Sequence, residues 1–70
     1  MPAEIPEGVP YELPAIGRPA TSALVTAGLT SLDKVAELTE KQLLGMHGVG
    51  PKAVRILREA LVERGSHFAG

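Results

Sequence analysis

A chain of 70 residues is long enough for one small domain, and a domain near this size buries only about 60% of the surface that its unfolded chain exposes. The sequence has no cysteine, which excludes a disulfide framework and a cysteine-based zinc site, so its core must come from aliphatic packing, for which a hydrophobic content of 44% is adequate. A net charge of −1 argues against a protein that coats nucleic acid through bulk charge.

The first 14 residues contain four of the six prolines. Because proline fixes φ and lacks an amide donor, this segment is predicted to be an extended arm, with Tyr11 packed on the body of the domain. It has neither the basic start nor the apolar centre of a signal peptide. No apolar run reaches the ~18 residues of a membrane span. We therefore expect a cytoplasmic protein with no membrane partner.

Two short helices are predicted in the first half of the chain. Proline is well suited to a first helical turn, so one helix should begin near Arg18 or Pro19. It should end at Gly28, a residue that often terminates helices. Residues 30–33 match a capping box, which predicts a second helix over about 31–37.

Two further helices are predicted in the second half. A capping box at residues 39–42 begins the third helix, with Leu43 and Leu44 both directed inward. The fourth helix should extend from about Pro51 to Arg64, where apolar residues recur at helical spacing. No useful length of sequence alternates with a period of two, so the chain is predicted to be all-α.

A faint internal repeat relates the starts of the first and last helices. Residues 15–20 resemble residues 48–53, at an offset of 33 positions. Such a repeat suggests two pseudo-symmetric units around one core. We therefore divide the chain into an arm over 1–14, a domain over 15–65 and a tail over 66–70.

The stretch LLGMHGVGPKAVRIL contains the residues most suggestive of function. Gly48 and Gly50 permit a sharp turn through positive φ, and Val49 between them should point into the core. The turn leaves unpaired N–H groups near the start of a helix, which is an arrangement that binds anions such as phosphate. Lys52 and Arg55 follow on one helix face. The alternative is that the glycines serve the turn alone.

The charge distribution supports a local role for these cations. Residues 1–38 carry five acidic side chains against two basic ones, whereas residues 39–70 carry three against five. The basic residues concentrate after the glycine pair, and Arg58 continues the series. The alternative is a solvated helix face, with Arg55 and Glu59 forming an ion pair one turn apart.

Taken together, the residues from Leu43 to Ile56 resemble a helix-hairpin-helix motif. Residues 20–65 as a whole are similar to the C-terminal domain of the alpha subunit of bacterial RNA polymerase. The resemblance implies a compact bundle of four to five short helices with two helix-hairpin-helix-like units, a SAM-domain-like arrangement. The segments that carry it are Ala27-Gly28-Leu29, Thr39-Glu40, Leu43-Leu44 and Gly50-Pro51-Lys52.

The resemblance implies contact with the DNA phosphate backbone and no catalysis. Gly48 and Gly50 would supply amides, Val49 would support the turn and Lys52 would supply a charge. We add Arg55 beside this hairpin as a candidate contact.

Arg18 is a further candidate, because it lies in the incomplete first copy of the hairpin. In the polymerase domain an arginine and an asparagine on the first helix enter the minor groove. The matching residues here are Pro19 and Ser22, and the serine that follows the family's lysine is Ala53. We therefore expect weak binding that is largely independent of sequence, because phosphate contacts position a protein but do not specify a site.

The sequence gives little support for an enzyme. Its serines have no evident His–Asp partners, and its single aspartate, Asp33, is explained by helix capping. We expect no catalytic residue, no cofactor and no metal site. The alternative to DNA binding is a protein-interaction module that docks on transcription or repair machinery through the apolar, acidic N-terminal face.

Overall fold

A computed structural model describes residue 8 and residues 10–70, so most of the predicted arm, residues 1–7 and 9, lies outside the described residues. Helices dominate this part of the chain. It contains no β-strand, only an isolated bridge between Glu12 and Ser31. The prediction of an all-α chain is confirmed. The helices are α1 (Arg18–Thr26), α2 (Leu32–Val35), α3 (Glu40–Leu44) and α4 (Pro51–Glu63).

The two longer helices, α1 and α4, begin in the same way. Each has a glycine at its N-cap, Gly17 or Gly50, and a proline in its first turn, Pro19 or Pro51. Neither glycine has a side chain to cap the helix. Proline tolerates this position because the amide that it lacks would have no partner within the helix. The predicted starts of both helices are confirmed.

The two shorter helices are capped by side chains. The Thr39 hydroxyl accepts a hydrogen bond from the Gln42 amide at 3.1 Å, and the Gln42 side chain accepts one from the Thr39 amide at 2.9 Å. This reciprocal pair confirms the predicted box of α3. The box predicted for α2 was one residue out of register, because the N-cap is Ser31, whose hydroxyl accepts from the Lys34 amide. Helix α2 ends at Val35, two residues before the predicted end.

The core is mostly aliphatic and receives side chains from all four helices. Its most enclosed members are Leu24, Val35, Leu43, Leu57 and Leu61. Leu44 is 46% exposed, so the prediction that it points inward with Leu43 was wrong. Consecutive helical residues point in directions about 100° apart, and α3 is covered on only one side. Tyr11 is also exposed, so its predicted role as a packing anchor was wrong.

Residues 66–70 form no helix, but they pack against the body of the domain. Phe68 is buried within the hydrophobic core. The Ala69 amide donates a hydrogen bond to the Leu38 carbonyl at 3.0 Å. This segment therefore closes the core beside the start of α3 and supplies the chain's single phenylalanine to it.

Candidate nucleic-acid interface

The hairpin between α3 and α4 makes its turn at one glycine. Gly48 has φ of +90°, in the region that favours glycine, so positive φ there is confirmed. Gly50 has φ of −107° and ψ of 177°, so the prediction that it also needs positive φ was wrong. Val49 is 5% exposed and belongs to the core, as predicted. The turn is thus anchored from inside by one apolar side chain.

Gly48 is also required by a close contact. A Cβ atom at this position would lie 2.9 Å from the carbonyl oxygen of Pro19 and 3.5 Å from its Cβ. The hairpin is therefore seated directly on the first turn of α1. A Cβ at Gly50 would meet nothing within 4 Å. The two glycines have different roles, because Gly48 allows two backbones to approach and Gly50 occupies the N-cap position of α4 without capping it.

Backbone amides remain without backbone partners along this hairpin. Val49 donates to the Met46 carbonyl at 3.2 Å, and Val54 donates to the Gly50 carbonyl at 3.1 Å. Within residues 10–70, the amides of Gly48, Gly50 and Lys52 donate to no other backbone group. Unpaired amides at a helix start carry partial positive charge and attract anions.

The four helix starts differ in charge as well as in capping. The first turns of α2 and α3 carry Asp33 and Glu40, the usual complement to the helix dipole. The first turns of α1 and α4 carry no acidic residue and instead contain Arg18 and Lys52. Since Gly48 contacts Pro19, these two uncapped, basic starts belong to one continuous region of the molecule. Both helix starts would therefore attract an anion.

Ion pairs divide the basic residues of the second half into two groups. Arg58 pairs with Glu40, and Arg64 pairs with Asp33. The ion pair between Arg55 and Glu59, which belonged to the alternative of a solvated helix face, is not formed.

The candidate cations near the uncapped helix starts differ from Arg58 and Arg64 in this respect. Arg18, Lys52 and Arg55 are exposed and form no ion pair among the described residues. All three are therefore available to an anionic partner. Arg58, which the sequence placed in the same series, already forms an ion pair with Glu40.

A groove lies between α1 and the hairpin. Its volume is about 730 Å³, and the described residues that line it include no aspartate, glutamate, lysine or arginine. Pro19 and Ser22 of α1 both line it. The sequence analysis did not find this groove, although residues 19–32 form a conspicuous run without charge. The described residues that line it are Pro19, Ser22, Ala23, Thr26, Ala27, Met46, His47 and Gly48.

The described residues contain no group of three or more histidine and acidic side chains that would hold a metal ion. Within the same part of the chain, no helix is both long enough and apolar enough to cross a membrane.

Comparisons of the sequence and structure with protein-family models, curated proteins and solved structures found no match.

Proposed function

We propose that this chain is a non-enzymatic DNA-binding domain that holds the phosphate backbone through residues 48–52. It binds weakly and largely without sequence specificity. The observation that carries the proposal is the turn at Gly48, where free amides adjoin the uncapped start of α4 and the unpaired Lys52. In this proposal the uncapped starts of α1 and α4 belong to two helix-hairpin-helix-like units in a SAM-domain-like bundle.

The chemistry of the hairpin suits a phosphate better than a carboxylate side chain of a protein. Gly50 has open space where a side chain would lie, so a bulky phosphodiester can approach its amide. Lys52 adds a full charge to the partial charges of the helix start. Arg55 lies one turn further along α4 and can reach a neighbouring phosphate. These contacts read the backbone and not the bases, so they supply affinity without sequence preference.

The number of free cations limits the affinity. If Lys52, Arg55 and Arg18 together neutralise two or three phosphates, log K falls against log salt with a slope of about −2 to −3. We expect a dissociation constant near the ~10⁻⁴–10⁻⁶ M that non-specific binding shows at physiological salt. The charge of Arg58 contributes less, because Glu40 already neutralises it.

The decisive test is an amide-shift NMR titration with a short DNA duplex at low and moderate salt. Shifts should centre on Gly48, Gly50 and Lys52 and should fade as salt rises. Lys52→Glu should abolish them. Lys41→Glu is the matched control, because Lys41 is an exposed lysine without an ion pair on the side-chain-capped helix α3.

Two results would contradict the proposal. Equal loss of binding in both charge-reversal variants would mean that only net charge matters. Absence of shifts at low salt would mean that the two glycines only form the turn and bind no phosphate. That result would favour a protein-docking module.

A further inference from the structure

We propose that the groove between α1 and the hairpin binds one unpaired nucleobase of the DNA whose phosphate lies on residues 48–52. The inference rests on the proposed function and names its preferred substrate, which is DNA with a bulged or single-stranded nucleotide. The groove supplies a site for the base, and the hairpin supplies the site for its phosphate.

The groove has the size and surface of a site for a flat, neutral ring. Its volume of about 730 Å³ lies within the ~300–1,000 Å³ that small-molecule sites occupy. Ala23, Ala27 and the Pro19 ring give it apolar walls. The Met46 thioether and the His47 imidazole, at the rim of the hairpin, are the groups that pack favourably on an aromatic face. The Thr26 hydroxyl at the far end of α1 offers one polar contact to a base edge.

The groove is continuous with the phosphate site. His47 and Gly48 form one wall of the groove, and Gly48 is also the first residue of the phosphate-binding segment. A base and its own phosphate are joined through a single sugar. A phosphate on the hairpin amides therefore brings its base to the edge of the groove without any change in the fold.

Charge is distributed as a nucleotide requires. Among residues 10–70, those that line the groove include no acidic side chain, lysine or arginine, whereas Arg18 precedes it on α1 and Lys52 follows it on α4. Phosphates on either side of an unpaired nucleotide would meet these cations, and the neutral base would meet the neutral walls. An acidic peptide would place its carboxylates against the same cations, but its backbone amides would lie unpaired against an apolar surface.

Fully paired DNA leaves this groove unfilled. Pro19 and Ser22 are too short to extend into a minor groove, and paired bases remain in their stack. An unpaired base costs least to extrude, because no base pair must be broken. The energy gained in the groove therefore appears as a preference for unpaired nucleotides.

The experiment compares three labelled DNAs by fluorescence anisotropy at low salt. They are a short paired duplex, the same duplex with one unpaired thymidine, and that bulge with an abasic residue. We expect the thymidine bulge to bind about tenfold more tightly than the other two, at the lower end of what stacking contributes per base. Ala27→Leu, which fills the groove from an exposed position, should remove the preference and keep paired-duplex binding.

Val62→Phe is the matched control for the groove, because it enlarges an exposed apolar side chain that lines a different depression on α4. It should keep the full preference. Salt-dependent, equal binding of the three DNAs would overturn the inference and leave the proposed function standing. Equal binding of the thymidine and abasic bulges would overturn it as well, because the base would then contribute nothing. Failure to bind any DNA at low salt would overturn both proposals.

Discussion

Replacement of Gly48 by alanine tests the contact on which the candidate interface depends. A left-handed backbone costs a non-glycine residue about 1–2 kcal/mol. The added Cβ would lie 2.9 Å from the Pro19 carbonyl oxygen. Neither atom can rotate away, because the Cβ is fixed on its Cα and the oxygen belongs to the backbone. Overpacking of this kind costs about 1–3 kcal/mol. The two terms together predict a loss of about 2–5 kcal/mol in the free energy of unfolding.

That loss is large for a chain of this length. A 70-residue domain has a total stability of about 3–10 kcal/mol. Gly50→Ala is the matched control, since Gly50 has φ of −107° and open space around its Cβ. Alanine is the poorer N-cap, but it restricts the unfolded chain, so the two effects nearly cancel and leave a change within about 0.5 kcal/mol.

Urea unfolding followed by far-ultraviolet circular dichroism measures both variants. With a slope near 1 kcal/mol per M, the midpoint of Gly48→Ala should fall by about 2 M or more, if the variant folds at all. The midpoint of Gly50→Ala should stay close to that of the unaltered chain. The reasoning is refuted if the two variants unfold together, because the close approach of the hairpin to α1 would then carry no energetic weight.

The same assay checks three further expectations. Thr39→Ala breaks the capping box of α3 and should cost about 1 kcal/mol. Phe68→Ala removes a buried ring and should cost about 3–5 kcal/mol, whereas the exposed neighbour His67→Ala should change little; equal effects would mean that residues 66–70 do not stabilise the core. Leu43→Gln should unfold the domain, because it buries an amide in the core, and Leu44→Gln should be tolerated within about 0.5 kcal/mol.

Local chemistry accounts for the elements that the sequence predicted well. The capping box at Thr39 and the starts at Pro19 and Pro51 depend on side chains that act within one turn of their own backbone. Such signals can be read from a few adjacent residues. The exposure of Leu44 and the burial of Phe68 depend on which elements cover them. Spacing along the chain cannot supply that information for a helix as short as α3 or for a segment with no regular structure.

In the candidate site, too, features formed by adjacent residues could be predicted and features formed by distant residues could not. The placement of Gly48, Val49 and Lys52 at a turn and the helix start that follows it could be predicted, because these features are adjacent in sequence. The groove was missed because its two walls come from α1 and from residues 46–48, and they meet only through the approach of Gly48 to Pro19. The ion pair that occupies Arg58 was missed for a similar reason, since its partner Glu40 lies on another helix.

The contact between Gly48 and Pro19 also bears on the order in which the domain folds. Helices α3 and α4 are neighbours along the chain, so their hairpin can form by closing a short loop. The contact with α1 must close a loop that contains residues 20–47, which carries a larger entropic cost. We expect this contact to form after the folding transition state, so that its disruption accelerates unfolding more than it slows folding. During synthesis, the segment containing Pro19 is made before the hairpin. The surfaces that Pro19 and Gly48 cover on each other therefore stay exposed until the hairpin has been made.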